Sequence, residues 1–312
     1  MTEAPAKKIV VLTTGGTIAC TADPHGVLLP TVSGEDLVAP IRPRFNPQDV
    51  QIDVRELTRL DSASMTLADI DEVIAAIFDI LADESVTGVV VTHGTDSMEE
   101  TALAVDTFLP DDRPVVFTGA QKSFDHPESD GPGNLFEAIL VAADESARGI
   151  GALIVFGHAV LPARGAVKWH TSDNLAFATN APEEPTRPDP VAPALLADVR
   201  VDVIYAYPGA PRTVVDSLVA AGSQGLVVEA MGAGNVGRDL ALGLSDALAL
   251  GIPVVISTRV ARGEIFGSYG GSGGGATLAA KGALGSTYFR AGQARILLAI
   301  ALATGRHPAT LF

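Results

Sequence analysis

Ile9-Val10-Val11-Leu12 is a short apolar run that ends on Thr13-Thr14-Gly15-Gly16-Thr17. The same pairing of a buried run with a hydroxyl- and glycine-rich turn recurs twice. Val89-Val90-Val91 leads into Thr92-His93-Gly94-Thr95-Asp96-Ser97, and Val115-Val116-Phe117 into Thr118-Gly119-Ala120-Gln121. A continuous apolar run bounded by turn residues marks a parallel strand covered on both faces, and Leu153-Ile154-Val155-Phe156 reads as a fourth. Helical patterns lie between these runs. Thr66 to Ala82 carries Ile70, Val73, Ile74, Ile77 and Leu81 at spacings of mostly three and four, one buried stripe. Ser97 to Phe108 opens with Ser97-x-x-Glu100, the pattern of a capping box. Gly133 to Ala143 predicts a further helix, with Pro132 near its first turn.

The alternation pauses at Ala181 to Ala197, where Pro182, Pro185, Pro188, Pro190 and Pro193 forbid a helix or central strand and predict an extended linker. It then resumes. Strands are expected at Val203-Ile204, Leu226-Val227-Val228 and Val254-Val255-Ile256, and helices at Val214 to Ala221, Leu240 to Leu250 and Gln293 to Ala303. The fold class is therefore α/β, with two α/β domains and largely parallel sheets. The larger N-terminal domain covers 1–180, the linker 181–200 and the smaller C-terminal domain 201–312. Gly270 to Gly275 (GGSGGG) is the one low-complexity piece and reads as a mobile loop.

Composition narrows the function. The 312 residues carry 21 Lys+Arg against 37 Asp+Glu, a net charge of −16, which disfavours nucleic acid and anionic membranes as partners. Mean hydropathy is +0.31, enough for a substantial core. A single cysteine, Cys20, excludes an internal disulfide framework and a multi-cysteine metal site. Met1 to Lys8 has no apolar leader, and no run approaches the roughly 20 residues that span a bilayer. A soluble cytoplasmic protein without cofactor is expected. The six histidines lack metal-ligand spacing, so no metal is expected either.

In an open α/β sheet, ligands bind beyond the carboxyl ends of the strands. The three loops should therefore share one crevice, offering hydroxyls, the Asp96 carboxylate and backbone N–H groups to a small molecule. Nucleotide binding fails on detail. No Gly-x-x-x-x-Gly-Lys-Ser/Thr occurs, and none of the lysines (Lys7, Lys8, Lys122, Lys168, Lys281) lies in a glycine loop. A threonine is a poor nucleophile and needs a base or relay. Lys168, in the polar stretch Arg164 to Asn174, could take a proton if burial lowered its pKa. Spacing alone does not bring it to Thr95. His93 reads as ordering its loop, Glu99 and Glu100 as serving a helix N-terminus, Cys20 as a small buried side chain, and Trp169 as packing near Lys168.

Three blocks together resemble the bacterial-type L-asparaginase family of threonine amidohydrolases. They are Thr14-Gly15-Gly16-Thr17-Ile18-Ala19, Thr92 to Ala102 (THGTDSMEETA), and Gly119-Ala120-Gln121 through Ser129-Asp130-Gly131-Pro132-Gly133-Asn134. The resemblance implies that Thr17 attacks a side-chain amide to give an acyl-enzyme and ammonia, with water then releasing aspartate. It implies a second triad of Thr95, Asp96 and Lys168, with Asp96 also holding the substrate amino group and Ser62 the α-carboxylate. It implies a homo-oligomer, a dimer or a tetramer of tight dimers, in which Asn235 of a neighbouring C-terminal domain helps to complete each site. Two features depart from the family pattern: Thr21 to Ser33 contains no tyrosine, and Tyr269 to Gly275 contains no carboxylate.

L-Asparagine is the expected substrate. The alternatives are a glutaminase-asparaginase of broader specificity, an amidotransferase subunit acting on a tRNA-linked amide, and an amino-acid-binding sensor of impaired activity. The amidotransferase subunit carries an extra N-terminal domain, for which a first strand at Ile9 leaves no room.

Overall fold

A computed structural model describes residues 5–183 and 187–312; Met1–Ala4 and Pro185 of the proline-rich stretch lie outside the described residues. The chain divides into two compact units. The first holds residues up to Thr179 together with Asp189–Val191, and the second the remainder.

The first unit begins with β1 (Lys7–Gly15), the hairpin of β2 (Cys20–Ala22) and β3 (Leu28–Pro30), and the short α1 (Gly34–Val38). There follow β4 (Val50–Leu60), α2 (Leu67–Leu81), β5 (Val86–Thr92), α3 (Met98–Phe108), β6 (Val115–Thr118) and α4 (Gly131–Ala143). It closes with β7 (Ala152–Phe156), β8 (Ala159–Pro162), β9 (Ala166–Lys168) and β10 (Phe177–Thr179). Six strands form one sheet in the order β4-β1-β5-β6-β7-β8, parallel except for the final antiparallel pair. β9 and β10 form a separate antiparallel ribbon. One face of the sheet packs on α4 and α1 through Ile9, Val11, Val90, Val116, Leu135 and Ile139.

The second unit contains β11 (Val201–Tyr205), α5 (Thr213–Ala220), β12 (Gly225–Ala230), α6 (Arg238–Ala249) and β13 (Val254–Thr258). The short α7 (Gly275–Ala279), β14 (Leu284–Gly285) and the buried α8 (Ala291–Thr304) complete it. Its four strands are parallel, in sequence order. No helix among the described residues is long and apolar enough to cross a membrane.

Four readings need correction or addition. The capping box expected at Ser97 does not form: Ser97 makes no cap hydrogen bond, and its hydroxyl donates instead to the Ser62 carbonyl at 2.7 Å. The box lies one helix earlier, where Thr66 and Asp69 hydrogen-bond each other's backbone N–H groups across the first turn of α2. β4 was not anticipated. It is an edge strand, half-buried or exposed everywhere but at Ile52, so it has no continuous apolar run. The glycine-rich loop is closely packed at its C-terminal end only: Gly270 and Gly271 have open space, whereas a Cβ on Gly273 would overlap the Val236 carbonyl, and one on Gly274 the Tyr269 carbonyl. Close approach, not openness, explains those glycines. Within the proline-rich stretch no described residue is helix or strand, yet Val191 is buried and donates its N–H to Thr107.

Thr66→Ala should remove the cap of α2 and lower unfolding stability by about 1 kcal/mol. Urea unfolding checks this; an unchanged midpoint would show that α2 does not depend on the box.

Candidate active site

β4, β1, β5 and β6 are neighbours and run parallel, so the loops at their carboxyl ends lie side by side. Three of these loops are the motifs picked out above. The fourth, which the reading of continuous runs did not supply, is Asp61-Ser62 at the end of β4. Sheet hydrogen bonds lock the loop bases. Thr14 Oγ1 donates to the Thr92 carbonyl at 2.9 Å, Thr118 Oγ1 to that of Val155 at 2.8 Å, and the His93 N–H to that of Thr118 at 2.8 Å.

The glycines let the loops touch. Gly15 and Gly16 have φ of 109° and 80°, open to glycine and costly for other residues. A Cβ on Gly16 would overlap the N and Cα of Gly94, and one on Gly94 would overlap the Ser62 hydroxyl. Thr17 and Thr95 each follow one of these touching glycines. Ser62 is drawn in from the other side: its hydroxyl accepts the Asp96 N–H at 3.2 Å.

Lys168, at the end of β9, reaches the same place. Its Nζ donates to Thr95 Oγ1 at 2.8 Å and to Asp96 Oδ1 at 2.6 Å, across more than 70 residues of chain. Thr95 is buried, whereas the Asp96 side chain is 56% exposed, so its carboxylate meets solvent or a ligand. Thr17, Ser62, Thr95, Asp96 and Lys168 thus lie on touching or hydrogen-bonded segments of the first unit. Asn235 belongs to the second unit, where its side-chain oxygen accepts the Gly275 N–H at 3.2 Å.

The loop after β6 is clamped from below. Asp130, just before α4, accepts the N–H groups of Gln121 and Lys122, and Asn134 donates to the Gly119 carbonyl at 2.9 Å. Gln121 then donates to the carbonyls of Asp173 (3.1 Å) and His170 (3.4 Å), in the loop that follows Lys168. Cys20 is buried, and its Sγ contacts the Gly16 carbonyl at 3.3 Å, in keeping with a small packing side chain. Among the described residues no cluster of His, Cys, Asp or Glu fits a metal ion.

Two buried ionisable groups lie beneath the site. The His93 ring is fully buried, with Nδ1 bonded to the Gly94 carbonyl at 2.7 Å; burial pulls its pKa down to about 4, against that hydrogen bond. Glu99, expected only to serve a helix N-terminus, instead accepts the main-chain N–H of Lys168. Burial and then the Glu100 charge push its carboxyl up to about 8, opposed by the Lys168 amide and ammonium. The burial of Glu99 is a tertiary fact: α3 is buried on nearly every residue, leaving no solvent face for an acid.

These shifts act oppositely on stability. Unfolded His93 takes up a proton between its ordinary 6.5 and the folded value of about 4, so its contribution is lost as the pH falls through that window. Unfolded Glu99 releases a proton between 4.5 and about 8, so its contribution is lost as the pH rises. The two slopes offset from 4.5 to 6.5, and only the Glu99 decline continues above. Glu99→Gln should abolish that decline and uncover a rise in stability below 6.5, each limited to about 1.4 kcal/mol per pH unit. Urea midpoints from pH 4.5 to 8 test this; parallel profiles for wild type and variant would contradict it.

The family described as "Asparaginase, N-terminal" matches residues 8–187, and that described as "Glutaminase/Asparaginase C-terminal domain" matches residues 200–311. The chain is 31% identical to an L-asparaginase of Bacillus licheniformis, over 96% of both chains. It is 35% identical to a probable L-asparaginase of Deinococcus radiodurans, over 96% of this chain and 94% of that one. The crystal structure of a probable cytoplasmic L-asparaginase from Campylobacter jejuni superposes with a TM-score of 0.84 at 26% identity, covering 98% of each. With both of its domains matched and relatives aligned over nearly the whole length, the chain belongs to the asparaginase family of amidohydrolases.

Proposed function

We propose that the protein hydrolyses L-asparagine to L-aspartate and ammonia, with Thr17 as nucleophile. The observation that carries the reading is the Lys168 ammonium held between the Thr95 hydroxyl and the Asp96 carboxylate, beside the Gly16–Thr17 turn. Thr17 Oγ attacks the side-chain amide carbon, its proton passes to the departing nitrogen, and ammonia leaves as an ester forms. Water then attacks the ester, the Thr17 hydroxyl is restored and aspartate is released. Without a tyrosine in Thr21 to Ser33, the proton traffic of both steps falls to Thr95 and Lys168. Asp96 pairs with the substrate ammonium and Ser62 receives the α-carboxylate. One methylene is worth about 1–3 kcal/mol in such a pocket, which sets the margin by which asparagine is preferred to glutamine.

The names of the relatives support asparagine as substrate. The description of the Campylobacter protein supports the cytoplasm as compartment. No cofactor or metal enters this mechanism.

Thr17→Ala, Thr95→Ala and Lys168→Met should each lower the rate of ammonia release from asparagine by roughly 10² to 10⁴. Turnover by Thr17→Ala equal to wild type would refute the nucleophile.

The active form is proposed to be a homo-oligomer in which Asn235 from a second copy of the chain completes each site. Mixing and reassembling inactive Thr17→Ala with an inactive Asn235→Ala variant should then restore about a quarter of wild-type activity. Only half of the randomly formed dimers are mixed, and each mixed dimer has one intact site. No recovery after verified subunit exchange would show that Asn235 acts within its own chain.

A further inference from the structure

Lys168 reaches its partners from an unusual base. β9 has three residues and pairs only with β10, outside the six-stranded sheet. A two-stranded ribbon is marginal by itself, and the lysine stem adds four rotatable carbons, so the sheet does not fix where the ammonium lies. Thr95 and Asp96, in contrast, stand immediately ahead of α3, whose first turn carries Glu99. The Glu99 carboxyl accepts the main-chain N–H of Lys168.

Resting on the reading of Lys168 given above, we propose that Glu99 is a positioning residue, which pins the Lys168 main chain to the first turn of α3, directly behind Thr95 and Asp96, and so aims the ammonium at them. The resulting ring is short. It runs from Thr95 through four peptide bonds to Glu99, across one hydrogen bond to the Lys168 backbone, and back along the side chain to Thr95. Any drift of the ribbon relative to α3 has to break it. Gln121, bonded to the carbonyls of His170 and Asp173, steadies the next stretch of the same segment.

Burial separates this role from simple packing. Glu99 is 9% exposed, and an apolar side chain of similar volume would fill the space without the cost of burying a carboxyl. What an apolar residue cannot supply is the acceptor. Its raised pKa fits the same picture: burial favours the neutral carboxyl, whose carbonyl oxygen still accepts the amide N–H and which adds no second anion beside Asp96.

The test compares Glu99→Gln, which keeps an acceptor at the same reach, with Glu99→Leu, which removes it, and Glu99→Asp, which draws it back by one methylene. Steady-state ammonia release from asparagine should give kcat within about threefold of wild type for Gln. For Leu and Asp, kcat should be about 100-fold lower with KM nearly unchanged, the loss expected when a reacting group is misplaced by about 1 Å. If Leu does not fold, the comparison of Gln with Asp carries the same information. Leu or Asp as active as Gln, or Gln as poor as Leu, overturns the proposal while leaving the role of Lys168 intact. Wild-type kcat in Lys168→Met overturns both.

Discussion

Two backbones meet at Gly16 and Gly94 with no side chain between them, and the arrangement of the site depends on that contact. Parallel neighbours β1 and β5 bring their carboxyl ends together, as any such pair does. Ordinary residues at the loop tips would hold those ends apart by the width of a side chain. With glycine on both sides, the turns that lead into Thr17 and Thr95 come into contact. The positive φ of Gly15 and Gly16 makes the turn sharp enough to present Thr17 there.

Around that contact the charges are graded from dry to wet. His93, underneath, is neutral because an imidazolium without water is costly. Burial, reinforced by the Glu100 charge, likewise pushes the Glu99 carboxyl toward its neutral form. Charge is kept for the rim, where the ammonium of Lys168 meets the largely exposed carboxylate of Asp96. Formal charge thus sits at the exposed Asp96, with hydrogen-bonded support behind it.

How much could be read beforehand follows from where each element sits. β1, β5, β6 and β7 are interior to the sheet and buried along most of their length, so each contains an unbroken apolar run. β4 at the edge is buried only at Ile52, and β9 and β10 are too short to carry any pattern. The hydroxyl loops were legible because strand ends announce them. Lys168 was not: its approach to Thr95 is a tertiary fact spanning more than 70 residues, and only likeness to known amidohydrolases suggested it. Glu99 was misread because acids in a first helical turn ordinarily face solvent and complement the dipole, whereas α3 has almost no solvent face. The serine at 97 misled for a related reason, its hydroxyl being committed to Ser62 rather than to its own helix.

The hairpin of β2 and β3 stands in contrast to this glycine-built floor. It is tied down at its base, where the Phe124 N–H reaches the Cys20 carbonyl and the Ala22 N–H reaches Asp125. Its far end is loose in packing terms: Val27, Leu28 and Leu29 are about half exposed, and Gly26 has open space around it. The molecule is thus divided into a portion that tolerates almost no editing and a portion that tolerates a great deal. Side chains can be exchanged at residues 24–29 with little penalty in folding, but not in the turns at 15–17 or 93–95.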